Sequence, residues 1–290
     1  MSWILFTLLA AFSQSWRNAF QSRLSKELNV TGVTLSRFLW AGPLAAIYLW
    51  LLYYFEPVNL PSFTTYSYFF IIGASVMQII ATGLMVVLFK QKNFAIGAGL
   101  AKSEAPVSAF LGVLFFGTSL SLFGWLGVAI GAVAVFLLSC PDGLRSISFK
   151  TAIIGLACST SFALTSLWIR EASLTLSLPF PHRAAWVLFL VILFQTIALV
   201  SYLLIRDFNT LKAMFIKPKL VVMTSIASFI GSLGWFSAMS LQTVPLVKTL
   251  GQVEVFFTML ISFFWLKEGI KRKDILALIL IAIAAVLVMW

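Results

Sequence analysis

Ten runs of mostly apolar residues follow one another along this chain with only short gaps between them. Their approximate limits are 3–22, 31–54, 66–89, 94–116, 121–139, 151–170, 183–205, 219–240, 245–266 and 273–290. About 20 such residues are what an α-helix needs to cross the hydrocarbon core of a bilayer. A water-soluble fold fails on composition. The chain is 61% hydrophobic and only 10% charged, whereas a soluble domain is about half apolar and about one quarter charged. So few charges cannot cover a surface that faces water, and lipid must be the solvent for most of the exterior.

The gaps are punctuated by Glu56-Pro57 and Pro61, Pro141-Asp142-Gly143, Pro179 with Pro181, and Lys217-Pro218. None is long enough to insert a soluble domain. Met1-Ser2-Trp3 lacks a basic leader and opens the first helix rather than a signal peptide. The net charge of +11 is not a nucleic-acid footprint, because Lys and Arg sit in the gaps, as membrane topology requires. The gaps after the first, third, fifth, seventh and ninth runs carry Arg23 and Lys26; Lys90 and Lys92; Arg145 and Lys150; Arg206, Lys212, Lys217 and Lys219; and Lys267, Lys271, Arg272 and Lys273. The remaining gaps carry only Arg170 and Arg183. The positive-inside rule places the first set in the cytoplasm, which leaves both termini of a ten-span chain on the opposite side. Cys140 and Cys158 form neither a disulfide framework nor a metal site, and no cofactor is expected.

The two halves of the chain resemble each other at a fixed offset: Leu100 matches Leu250, Glu104 matches Glu254, Leu126 matches Leu276, and Ala132 and Ala134 match Ala282 and Ala284. Leu and Ala matches are cheap in apolar sequence, but a carboxylate within a span is rare. Five spans per half is an odd number, so the second half enters the membrane from the opposite side. The expected fold is therefore all-α and integral to the membrane: ten transmembrane helices as two inverted five-helix repeats, 1–140 and 141–290, within one membrane domain. Such repeats carry a site near the midplane where they meet.

With these features the chain resembles the drug/metabolite transporter superfamily, specifically its ten-helix EamA-type members, over essentially its whole length. The resemblance rests on the five-plus-five layout, on Arg37 early in the second run and on Glu104-Ala105-Pro106-Val107 in the fourth. The ninth run adds Gly251-Gln252-Val253-Glu254 and ends in Leu266-Lys267-Glu268, like the acidic helix end of the family. The first half departs from that pattern, since Phe116-Gly117-Thr118 lacks the terminal Glu. The resemblance implies transport of a small solute. It fixes no substrate among amino acids, metabolites, drugs, nucleotide sugars and sugar phosphates.

Six charged residues fall inside the runs, away from their approximate ends: Arg17, Arg37, Lys102, Glu104, Lys248 and Glu254. A charge at the bilayer centre costs at least about 2.5–3.5 kcal/mol on insertion scales, so each should face a bundle interior or a wet cavity. Glu104 and Glu254 fall near mid-helix. Their expected same-face neighbours are small: Gly97, Ala101 and Ser108 for one, Val247, Gly251 and Thr258 for the other. A carboxylate there can hold a cationic group of a substrate or carry a proton. The competing reading is structural pairing between helices. Lys102 lies two positions from Glu104 and thus on the other side of its helix, where it can meet Glu254 or a substrate carboxylate. Lys248 and Gln252 share a face, although Lys248 is near enough to a helix end to snorkel.

Gln14, Arg17, Asn18 and Gln21 form a polar stripe at helical spacing on the first run. Ser161, Thr165 and Ser166 give a milder stripe on the sixth, and Gln78 with Thr82 marks the third. These helices should wall the pathway. Arg17 and Arg37 are expected to anchor the end joining the first two runs rather than touch substrate. Pro106 removes a backbone donor inside its helix and offers a bend for gating. Trp16, Trp40, Trp168 and Trp186 can line a cavity, but each fits an interfacial belt better. Trp235 follows Gly231, Ser232 and Gly234, which leave it room to present a cation-binding face.

An enzyme is not expected. His182, the sole histidine, has no partner for a metal site and reads as an interfacial residue, and no nucleophile-base arrangement is visible. Nor is there a Gly-rich P-loop of the Walker type, so a gradient or exchange would drive transport. The reading is a secondary transporter of small organic solutes, foremost amino acids or related zwitterionic or cationic metabolites, working by alternating access. Its partners would be the bilayer, the small-molecule substrate and, as a candidate coupling ion, protons. It would sit in a bacterial inner membrane. The competing reading is a lipid-handling, flippase-like protein or a non-transporting partner subunit.

Overall fold

A computed structural model of the chain describes residues 1–90, 103–139, 148–216, 218–261 and 272–289. Lys102, Gly97, Ala101, the segment Leu266-Lys267-Glu268 and the junction between the expected repeats lie outside the described residues. Among the described residues the regular structure is helical: α1 (Ser2–Leu24), α2 (Val30–Ser36), α3 (Ala41–Phe55), α4 (Thr65–Lys90), α5 (Glu104–Phe116), α6 (Leu122–Ser139), α7 (Phe149–Thr175), α8 (His182–Arg206), α9 (Phe208–Ile216), α10 (Pro218–Leu241), α11 (Val244–Gly251), α12 (Glu254–Ile261) and α13 (Arg272–Leu287).

Among the described residues, six helical stretches are long and apolar enough to cross a membrane: Val30–Phe55, Thr65–Lys90, Phe149–Thr175, His182–Arg206, Pro218–Leu241 and Val244–Ile261. Glu104–Phe116, Leu122–Leu137 and Ile275–Leu287 are apolar but shorter. The helix α1 has 23 residues but is not among the six, in keeping with the polar stripe along it. The molecule is inside-out relative to a soluble protein. Arg17, Arg37, Gln195 and Glu254 are buried, while Leu5, Trp50, Phe69, Phe115, Ile197 and Ile205 are exposed. That distribution suits a solvent of lipid tails, in which backbone polar groups must be satisfied within the helices.

Two of the expected continuous spans are interrupted. Between α2 and α3 the backbone tightens, with Arg37 N–H donating to Thr34 O and Phe38 N–H to Leu35 O. Pro43, in the first turn of α3, has no N–H to give and cannot continue an α-helical ladder from upstream. The freed groups are served by neighbours. The Ser225 hydroxyl of α10 donates to Ser36 O at 2.7 Å and accepts from Trp40 N–H at 3.2 Å. Thr196 of α8 donates to Phe38 O. Between α11 and α12 the same tightening recurs: Gln252 N–H reaches Thr249 O, Val253 N–H reaches Leu250 O, and Val255 N–H reaches Gln252 O. Such 3₁₀ stretches inside helices commonly mark hinges. A further departure is α9, a short helix in a segment expected to be a loop. It begins where Asp207 caps it, its carboxylate accepting from Thr210 N–H and Oγ1.

Packing pairs distant parts of the chain. The helix α1 lies along α10, α4 along α7, α6 along α13, and α3 along α8; α5 packs on both α7 and α11. Small residues set the closest approaches. A Cβ at Gly234 would sit 2.6 Å from Phe6 O, and one at Gly73 would sit 2.7 Å from the Trp168 ring. Gly231 and Gly234 therefore serve the α1–α10 contact instead of making room for Trp235, as the sequence had led us to expect. His182, at the start of α8, is buried within the protein: its Nε2 lies 2.9 Å from Glu56 O, and its ring stands edge-to-face with Tyr53.

Candidate functional site

Polar residues that lipid would reject collect where α1, α4, α5, α7, α10 and α11 face one another. A cavity of about 40 Å³ opens there, lined by Gln14, Arg17, Asn18, Arg37, Gln78 and Glu104, with Thr165, Ser166, Trp235, Lys248 and apolar side chains completing it. A second cavity of about 20 Å³ shares Gln14, Glu104, Trp235 and Lys248 with the first and adds Gly251, Gln252 and Glu254. Of the site residues named from sequence that lie among the described residues, all but Pro106 line one cavity or the other. Pro106 instead falls in the first turn of α5, where its missing N–H costs nothing. The described residues therefore do not carry the mid-helix bend expected of it.

Each glutamate opens a helix rather than sitting mid-helix as expected, Glu104 in α5 and Glu254 in α12. A carboxylate in the first turn faces the positive end of the helix dipole. Glu254 is buried and held by the stripe on α1: Gln14 Nε2 donates to Oε2, and Asn18 Nδ2 donates to Oε1 at 2.8 Å. Asn18 Oδ1 in turn accepts from Arg17 Nη2 at 2.9 Å. Glu104 meets the stripe on α7, where Ser166 Oγ donates to Oε1 at 2.7 Å, and it pairs with Lys248 Nζ at 2.8 Å. Lys248 therefore turns inward and does not snorkel.

Trp235 ties these groups together. Its Nε1–H donates to Gln14 Oε1 at 2.8 Å, and Lys248 Nζ stands 4.1 Å from its ring centroid. The face expected to receive a cation already carries the lysine. Gly251 lies against the edge of the same ring. On α4, Gln78 accepts from Gln195 Nε2 at 2.7 Å, and Thr82 accepts from Arg37 Nη1 at 2.8 Å. Gln195 was missed in the sequence. A lone amide in the apolar run 183–205 was the available signal.

The two arginines depart most from expectation. Arg17 is 1% exposed and Arg37 is 3% exposed. Neither reaches out to a membrane surface, and both border the cavity. Arg17 Nη1, Arg37 Nε and both amide atoms of Gln252 have no hydrogen-bond partner among the described residues.

No curated protein matches the sequence. A solved structure named only as "Crystal structure of protein" superposes with a TM-score of 0.70 at 14% identity, covering 98% of each chain, a likeness of fold. Residues 149–290 match the model of the EamA-like transporter family. That family is one of membrane transporters of small solutes and implies a non-enzymatic role. Residues 149–290 are thus similar to EamA-like transporters, consistent with the drug/metabolite transporter superfamily, and the family match with the apolar helices supports an integral membrane protein.

Proposed function

We propose that the protein is a secondary transporter of small organic solutes, foremost amino acids or related zwitterions, in a bacterial inner membrane. In this reading it has ten spans: the six long apolar stretches, the three shorter ones and α1. These form two inverted five-helix repeats, 1–140 and 141–290, with both termini away from the cytoplasm. The packing supports the repeat. An axis exchanging the halves turns the α1–α10 contact into the α4–α7 contact, and it turns the contact of Glu254 with α1 into that of Glu104 with α7.

The observation that carries the proposal is the joining of Glu104, Glu254, Lys248, Arg17 and Arg37 around cavities flanked by two interrupted helices. A cavity of about 40 Å³ has room for a few waters but not for an organic solute, since one water needs roughly 10–15 Å³. Loading requires the walls to part, and interrupted helices supply places for them to move. Glu254 is the proposed proton carrier. Its surroundings are amide donors from α1, which can follow its change of charge. Glu254→Gln keeps its shape and removes the charge. In proteoliposomes it should abolish uphill transport of an amino acid while leaving exchange between solutes intact. Wild-type uphill transport with unchanged pH dependence would show that Glu254 has a structural role only.

A further inference from the structure

We propose that Arg17 and Arg37 form an anion-binding subsite, which receives the carboxylate or phosphate group of the transported solute. On this view the site requires an anionic group and does not accept a solute whose only charge is an ammonium. The proposal rests on the transporter reading above and names what that site selects.

The carboxylates of the site are already engaged. Glu254 accepts from Gln14 and Asn18, and Glu104 accepts from Ser166 and pairs with Lys248. The face of Trp235 carries that same lysine. The arginines are in the opposite condition. Among the described residues neither is ion-paired. Arg17 donates to Asn18, and Arg37 donates to Thr82. Each keeps a buried donor nitrogen with no partner. A guanidinium stays protonated, so its charge cannot be removed as that of a buried lysine can. Glu254 and Glu104 act on these charges through space; a directly bonded counter-charge for the two guanidiniums can enter through the cavity they border. The planar donor fork matches carboxylate and phosphate oxygens. A zwitterion satisfies the subsite through its carboxylate, as does a simple organic acid or a phosphate ester.

The test uses the purified full chain in detergent, in buffer free of other multivalent anions. The probes are inorganic phosphate, acetate, 4-methylpentanoate and L-leucine, set against L-leucinamide and isopentylamine. Binding is read as a rise in apparent melting temperature with probe concentration. The expected result is stabilisation by the anion-bearing probes and none by the amide or the amine. Arg37 is the residue to change, because Arg17 also supports the Asn18 bond to Glu254. Arg37→Gln should weaken anion binding roughly tenfold to a hundredfold, the usual range for one charge-assisted contact. Arg37→Lys, which keeps the charge but loses the fork, should fall between. Equal stabilisation by isopentylamine, an unchanged affinity in Arg37→Gln, or no stabilisation by any anionic probe would each overturn the subsite. Counterflow of the same probes in proteoliposomes separates the two readings. Anions that bind but are not moved would sink the transport reading and leave the subsite standing. Movement of isopentylamine as fast as leucine would do the reverse.

Discussion

Gly251 faces the Trp235 ring so closely that a side chain there must displace it. Trp235 in turn holds Gln14, which holds Glu254, and its face carries Lys248, which holds Glu104. One methyl group at Gly251 therefore reaches both carboxylates. Gly251→Ala should cost about 1–3 kcal/mol of stability through overpacking and should also depress transport. Gly73→Ala is the matched control. It collides with the Trp168 ring, which borders neither cavity, so it should lower the melting temperature alone. Thermal unfolding and proteoliposome uptake of the two variants check this, and equal loss of uptake would remove Trp235 from the site. At this scale the sequence told which residues must face inward, because lipid rejects amides and charges wherever they occur. It did not tell which partner each would take. Lys248 can reach outward or inward from its helix end, and only the position of Glu104 on a separate helix decides. Arg17 and Arg37 lie far enough along their runs to suggest anchoring at a membrane end, yet the fold closes over both.

Helix positions were legible from hydropathy because a span needs a long apolar run, but hydropathy does not see how the hydrogen-bond ladder runs within it. The interruption after Ser36 depends on Ser225 and Thr196 from other helices to serve its backbone, a tertiary condition with no local signature beyond Pro43. The helix α9 escaped for the opposite reason: at 9 residues it is too short to register as a span. Its start is fixed by Asp207, which also accepts from Asn29 Nδ2 at 2.6 Å and so joins α9 to the start of α2. Hydrogen bonds from the Thr210 side chain and backbone hold the Asp207 carboxyl below its ordinary value, with Asn29 adding to the effect. A depressed carboxyl stabilises the fold above its unfolded pKa and loses that contribution as pH falls through the folded one. The junction should therefore be constant through neutral pH and loosen only below about pH 4. Asp207→Ala should loosen it at every pH. Hydrogen exchange of residues 208–216 reads both effects: faster exchange in the variant at pH 7, and a difference from wild type that closes in acid. Equal exchange at pH 7 would show that the cap does not hold α9.

Across the whole molecule, the two ends of the bundle are fastened by different chemistry. At one end Asp207, Asn29 and Thr210 join, and Lys90 Nζ donates to Leu28 O. At the other, Arg170 donates to Met239 O and Gln242 O, and Arg183 donates to Ser240 O, so two cations cap the C-terminal end of α10. Those two arginines are the ones that break the charge bias between the gaps. Their donors are spent on carbonyls within the protein, where a helix C-terminus attracts positive charge. They are thus structural fittings, not signals of a cytoplasmic face, and removing them from consideration sharpens the bias. The first end, which carries Arg23, Lys26, Lys90, Arg206 and Lys212, should then face the cytoplasm. Since α1 runs toward that end, Met1 should lie on the far side, and ten spans return Trp290 there too. A reporter active only in the cytoplasm should be silent after Trp290 and active when inserted beside Lys212. Activity at both positions would mean an odd number of spans and would dissolve the five-plus-five repeat. Activity after Trp290 alone would invert the orientation and leave the repeat and its site as they stand.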